Sequence, residues 1–231
     1  MVDKDWRVGH RAIIEEFLQY LNKKTDMFVL KGGTALMECY GLTRFSEDID
    51  LDGPKGRNRD IDKIIESFAI ERNIPFVHNK NTNTTDRYFL HYNGDIRPLK
   101  IETSFREQYI NPDNVVKVNG IQTYELSILT EKKVKAFDQR DKLRDLYDLI
   151  FICKEKWNDI DDRAKENIKD SFSHKGIEYF ETIVEVQKDE FIDSKKLEED
   201  FIDIWDKIEL SKDDDEDFIE TDYEYYKDDE D

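Results

Sequence analysis

From Asp5 to Asn22 the apolar residues fall at Ile13, Ile14, Phe17, Leu18 and Leu21, and steps of three and four set them on one stripe of a helix. The run MFVLKGG that follows is short and apolar and ends in two glycines, and TALMECY returns to helical spacing, so strand, tight turn and helix succeed one another. In FSEDIDLDGP acids alternate with Ile49 and Leu51 until Gly53 and Pro54 stop the run, the pattern of a strand with one buried face. Ile61, Ile64, Ile65 and Phe68 predict a further helix up to Glu71. The segments IPFVHNK, DRYFLHYN, LKIETSF, VVKV and IQTYEL then read as strands separated by polar turns, with Asn119 and Gly120 as a hairpin signal. Neither Gly nor Pro interrupts Ser127 to Cys153, which predicts a continuous helix there. Helical spacing resumes from Asp159 to Leu210 with polar breaks near Ser173 to Gly176 and at Asp193.

Composition narrows the class. A chain of 231 residues that is 38% hydrophobic and 39% charged, with fourteen Phe and eleven Tyr, buries a core beneath a heavily ionised surface. The net charge of -19 argues against binding nucleic acid over the whole surface, because neutralising phosphates requires clustered Lys and Arg. Residues 211–231 hold twelve acids against two lysines, about -10, leaving about -9 on the rest. Such a tail is expected to be disordered or bound by a partner, and a basic patch around a site stays compatible with the remainder. No apolar run approaches the roughly 20 residues that span a bilayer, and the start MVDKDWRVGH lacks a signal-like apolar run, so a cytoplasmic protein without membrane partners is expected. Cys39 and Cys153 fall inside predicted helices and read as small buried hydrophobes. His10, His78, His91 and His174 show no paired ligand spacing, so a zinc site is not expected.

Two aspartates one residue apart on a strand project from the same face. Asp48 and Asp50 can therefore offer oxygens to a shared pair of divalent ions about 4 Å apart, while Ile49 and Leu51 anchor the strand in the core. A third carboxylate should come from a neighbouring strand, and Glu102 suits it, since Leu99, Ile101, Thr103 and Phe105 alternate with Lys100, Glu102 and Ser104. Hard carboxylate oxygens of this kind prefer Mg²⁺, with Mn²⁺ as a substitute. Gly32 and Gly33 close a strand and open a helix, where backbone N–H groups can approach a phosphate beside the Thr34 hydroxyl.

Together, KGGTALMECYGLTRFSEDIDL resembles the signature of the nucleotidyltransferase superfamily, and more closely that of the AbiEii/AbiGii-type toxin family: Gly32, Gly33 and Thr34, a short helix, then Arg44, Ser46, Asp48 and Asp50. The similarity continues into EKKVKAFDQRDKLRDLYDL with Lys133, Arg140, Arg144, Asp145 and Asp148, and covers roughly residues 28–150. The resemblance implies an α+β fold, a polymerase-β-like core of mixed sheet and flanking helices over residues 1–126, followed by a helical part over 127–210 and the acidic tail over 211–231. It implies catalysis by Asp48, Asp50, Glu102, Lys133 and Asp148, with Asp48, Asp50 and Glu102 holding metal. Gly32, Gly33, Thr34, Arg44, Ser46, Lys133 and Asp145 would hold a nucleoside triphosphate.

On a continuous helix Asp145 and Asp148 share a face and Lys133 lies about 60° away, so all three would reach one cleft. Arg144 and Asp148 also fit an i, i+4 surface pair. Lys55, Arg57 and Arg59 make a basic loop that could meet RNA or remain solvated. Tyr40, Tyr88 and Tyr147 read as core aromatics. The functional expectation is a toxin of a toxin–antitoxin or abortive-infection system that moves a nucleotide from an NTP to RNA, such as tRNA, opposed by a cognate antitoxin. Transfer to a small molecule or protein, and a non-catalytic nucleotide- or partner-binding module, are the alternatives.

Overall fold

The computed structural model describes residues 6–54, 60–95, 97–107 and 109–216. The basic loop at Lys55, Arg57 and Arg59 and residues 217–231 of the acidic tail lie outside them.

The elements follow the hydrophobic pattern closely. Helix α1 (Trp6–Lys24) leads to β1 (Val29–Lys31), α2 (Gly32–Tyr40), β2 (Asp48–Asp52) and α3 (Asp60–Glu71). Strands β3 (Phe76–Asn81), β4 (Thr85–Leu90), β5 (Tyr92–Asp95) and β6 (Leu99–Ser104) come next, then β7 (Val115–Val118) and β8 (Ile121–Tyr124). The β7–β8 turn is Asn119 and Gly120, at φ 51° and 82°, the left-handed pair that a two-residue hairpin of this twist needs. Helices α4 (Leu126–Arg140), α5 (Leu143–Glu155), α6 (Asp162–Lys175), α7 (Ile177–Val186) and α8 (Ser194–Glu216) complete the chain. No helix among the described residues is long and apolar enough to cross a membrane.

Seven strands form one mixed sheet in the order β3-β4-β6-β2-β1-β8-β7. Strand β6 is inserted between β4, which it meets antiparallel, and β2, which it meets parallel, so Asp50 lies beside Glu102. Ile49 and Leu51 point the other way and are fully buried. Phe17 of α1 and Phe68 of α3, both inaccessible, meet edge to face at 5.2 Å. A second aromatic cluster, Phe137, Phe172, Phe180 and Phe201, binds α4, α6, α7 and α8 together.

The expected continuous helix from Ser127 to Cys153 is instead two. Asp141 takes the left-handed conformation (φ 49°, ψ 50°), its N–H still bonded to the Phe137 carbonyl, and Lys142 is extended. A short polar residue tolerates that conformation, and tertiary contacts hold it. Lys175 Nζ sits 2.7 Å from the Asp141 carboxylate, while Gln187 donates to the Asp141 carbonyl at 2.7 Å and accepts from the Leu143 N–H at 3.0 Å.

Asp52, fully buried at the end of β2, ties the sheet to α4. It accepts from Lys31, from Lys132 at 3.1 Å and from the Tyr124 hydroxyl at 2.9 Å. Burial pushes its carboxyl up, but the ammonium groups of Lys31 and Lys132 outweigh burial and hold it below the ordinary aspartate range. The stability this supplies is present above that range and disappears as pH falls through the lowered folded value. Lys132→Ala should cost about 2 kcal/mol at neutral pH and shift acid unfolding to higher pH, both measurable by circular dichroism. An unchanged acid midpoint would show that Lys31 suffices.

Candidate active site

The turn from β1 into α2 requires both glycines, for different reasons. Gly32 has φ +78°, and a Cβ there would lie 3.2 Å from Asp50 Oδ2. At Gly33 a Cβ would come within 2.7 Å of Arg44 Nη2 and 2.9 Å of Ser46 Oγ. The N-terminus of α2 thus sits directly against the strand that carries Asp48 and Asp50. Thr34 lies one step inside. It is buried and does not line the cleft; its hydroxyl bonds the Asp48 carbonyl and shares a 2.9 Å bond with Ser46 Oγ, steadying the strand from behind.

Asp48, Asp50 and Glu102 project together into a cleft of about 490 Å³. Each has a distinct setting. Asp48 Oδ2 meets Lys100 Nζ at 2.5 Å, and Glu102 is gripped by Arg87 at 2.7 and 2.5 Å. Asp50 is pushed above the usual carboxylate range by burial, against the pull of Lys100 and with the repulsion of Asp48 and Glu102. Three converging carboxylates, one of them raised in this way, are a hard-oxygen donor set, which fits divalent cations.

The break at Asp141 folds α5 back on α4, and the hairpin does what a straight helix was expected to do. Lys133 Nζ reaches Asp148 at 2.5 Å and Asp145 at 3.2 Å. Asp145 also takes Arg140 at 2.6 and 2.8 Å; burial raises its carboxyl, but the Arg140 hydrogen bonds and the Lys133 charge hold it lowered. Asp148 is inaccessible and is held bidentately by Arg44, with Nε and Nη2 both at 2.7 Å. Lys133, Asp145, Arg44 and Ser46 line the cleft, whereas Asp148 lies beneath it. The i, i+4 pair of Arg144 with Asp148 does not form: Arg144 turns to Asp189 and Glu47 instead.

Sequence reasoning passed over several neighbours. His10, 1% exposed, donates from Nε2 to the Glu47 carbonyl at 2.7 Å, which leaves Nδ1 to accept from the Tyr92 hydroxyl at 2.7 Å. The Glu47 carboxylate is bound by Arg97 at 2.6 Å and by Arg144 at 3.3 Å. The residue before Asp48 is therefore fixed through both backbone and side chain. Nothing local to His10 announces this. Arg87 and Lys100 could have been found, because strand alternation puts Lys100 on the face of Glu102.

The family model of the nucleotidyl transferase AbiEii toxin, type IV toxin–antitoxin system, matches residues 4–225. The chain belongs to that family. It is accordingly a nucleotidyltransferase toxin of a toxin–antitoxin system, with the α+β fold expected. Among solved structures, this AbiEii-family chain resembles the Helicobacter pylori protein JHP933 at 25% identity and TM-score 0.68, covering 91% of this chain and 97% of the other. A second Helicobacter pylori structure, classed as a nucleotidyltransferase, is similar at 23% identity and TM-score 0.70, covering 93% and 99%. A search of curated proteins gives no match.

Proposed function

We propose that this toxin transfers a nucleotide from a nucleoside triphosphate to an RNA acceptor, with Asp48, Asp50 and Glu102 holding two Mg²⁺ ions, for which Mn²⁺ can substitute. When bound, the ions would supply charge neutralisation for the triphosphate and the attacking hydroxyl. The observation that carries this reading is the charge pattern of the cleft. In a chain of net charge -19, the cleft is lined by eight Lys and Arg against six acids, the three carboxylates together with Glu47, Asp145 and Asp189. A local basic rim on an acidic body attracts a polyanion to one place and repels it elsewhere.

The chain's own residues do the positioning. Gly32 and Gly33 let the α2 backbone come close to phosphate oxygens, with Ser46 beside them. Lys133 is set to accompany the triphosphate, and Asp145 and Asp148 hold its ammonium in place. Lys100 and Arg87 keep Asp48 and Glu102 compensated until cations replace them. A cognate antitoxin would oppose the activity.

Incubating the protein with each labelled NTP, Mg²⁺ and total RNA tests the reading. Label should enter RNA, vanish with a chelator and return on adding Mg²⁺ or Mn²⁺. Label found only on a small molecule or on protein would overturn the acceptor, and transfer that persists in chelator would overturn the metal requirement.

A further inference from the structure

A second cluster lies on the sheet face turned away from Asp50 and Glu102. Register pairs Arg87 with Glu102 and Tyr88 with Ile101, so β4 presents Asp86 and Tyr88 on the opposite side from the cleft. From β3, His78 sits across from Tyr88, the two rings stacked at 4.0 Å. A regular ladder would next bring Lys80 opposite Asp86. It does not, because the register slips between His78 and Lys80, leaving Lys80 opposite Arg87 and Asn81 opposite Asp86. The bulge thus turns the lysine off this face and leaves an imidazole there. His78 Nε2 lies 3.5 Å from Asp86 Oδ1.

The first turn of α3 brings in Asp62, and one ligand atom each from Asp62, His78 and Asp86 lie within 4.8 Å of one another. Asp86 and Tyr88 are each 1% exposed. The Tyr88 hydroxyl lies in the field of the cluster: burial, then Asp62, Glu66 and Asp86, push it up.

We propose that Asp62, His78 and Asp86 form a second metal site, separate from the cleft, which takes Zn²⁺ through one imidazole nitrogen and two carboxylate oxygens and pins α3 to the β3–β4 hairpin. Imidazole selects a borderline ion over Mg²⁺ or Ca²⁺. Bonds of about 2.0–2.1 Å to a tetrahedral ion set ligand atoms roughly 3.3 Å apart. His78 and Asp86 already stand near that spacing, and an Asp62 oxygen lies within 4.8 Å of both.

The test silences the cleft first. The chelator-stripped full-length Asp48→Asn, Asp50→Asn variant is titrated with ZnCl₂ in a calorimeter, and its melting temperature is followed with ZnCl₂ or MgCl₂. One equivalent of zinc should bind and raise the melting temperature, while magnesium should not. Adding His78→Gln should abolish both effects, each read against that variant's own metal-free melting, and Asp62→Asn, at a partly buried position, should weaken them. The absence of zinc binding in the cleft-silenced protein, or equal binding after His78→Gln and Asp62→Asn, would overturn the site.

Discussion

Asp50→Asn should lower nucleotidyl transfer by at least about a thousandfold, roughly 4 kcal/mol of lost transition-state stabilisation, while making the metal-free protein harder to melt. Both effects follow from one arrangement. Burial, offset only in part by Lys100 and reinforced by Asp48 and Glu102, raises the Asp50 carboxyl, so ionising it costs the folded chain free energy. Below the ordinary aspartate range the two proteins should melt alike. As pH rises through the raised folded value the wild type loses stability that the Asn variant keeps. Thermal melts across pH, beside a labelled-NTP transfer assay, check the pair. A variant that retains activity, or one that melts lower at neutral pH, would show that Asp50 serves the fold rather than the ions.

The other large effect should come from Arg44→Ala. Its guanidinium and the Asp148 carboxylate are both buried and meet through two 2.7 Å bonds, so removing the arginine leaves Asp148 with Lys133 alone. Breaking a buried pair of this kind costs about 3–5 kcal/mol, which in a chain of this size lowers the melting temperature by about 10 °C. Replacing both partners, as Arg44→Met with Asp148→Leu, should recover much of that stability, because no uncompensated charge remains. It should not recover transfer, since Lys133 then loses one of the two carboxylates that aim it. Urea unfolding of the single and double variants decides the matter; equal losses in both would mean that packing, not charge, dominates at Arg44.

What the sequence made legible was local. The alternation in DIDLD and LKIETS placed Asp48, Asp50 and Glu102 on faces before any pairing was known, because strand period is a property of each strand by itself. Asn119 and Gly120 likewise carried their own turn. What escaped depended on partners distant in sequence. The break at Asp141 has no glycine or proline to mark it and rests on Lys175 and Gln187. Thr34 looked like a phosphate ligand on its position after Gly33, yet the neighbouring strand draws its hydroxyl inward. The grouping of Asp62, His78 and Asp86 has no spacing motif, since a register slip between two strands creates it.

The bracing of Leu143 and Arg144 by Gln187 and Asp189 bears on how such a toxin is made. A ribosome releases the three carboxylates early, the lysine helix later, and the residues that hold the α4–α5 hinge closed later still. Domains gain structure as their segments emerge, so a nascent chain stopped short of Gln187 carries the reactive groups without the brace that keeps its cleft in shape. The cleft therefore gains its brace only after Asp189 has been made, well behind the three carboxylates it serves.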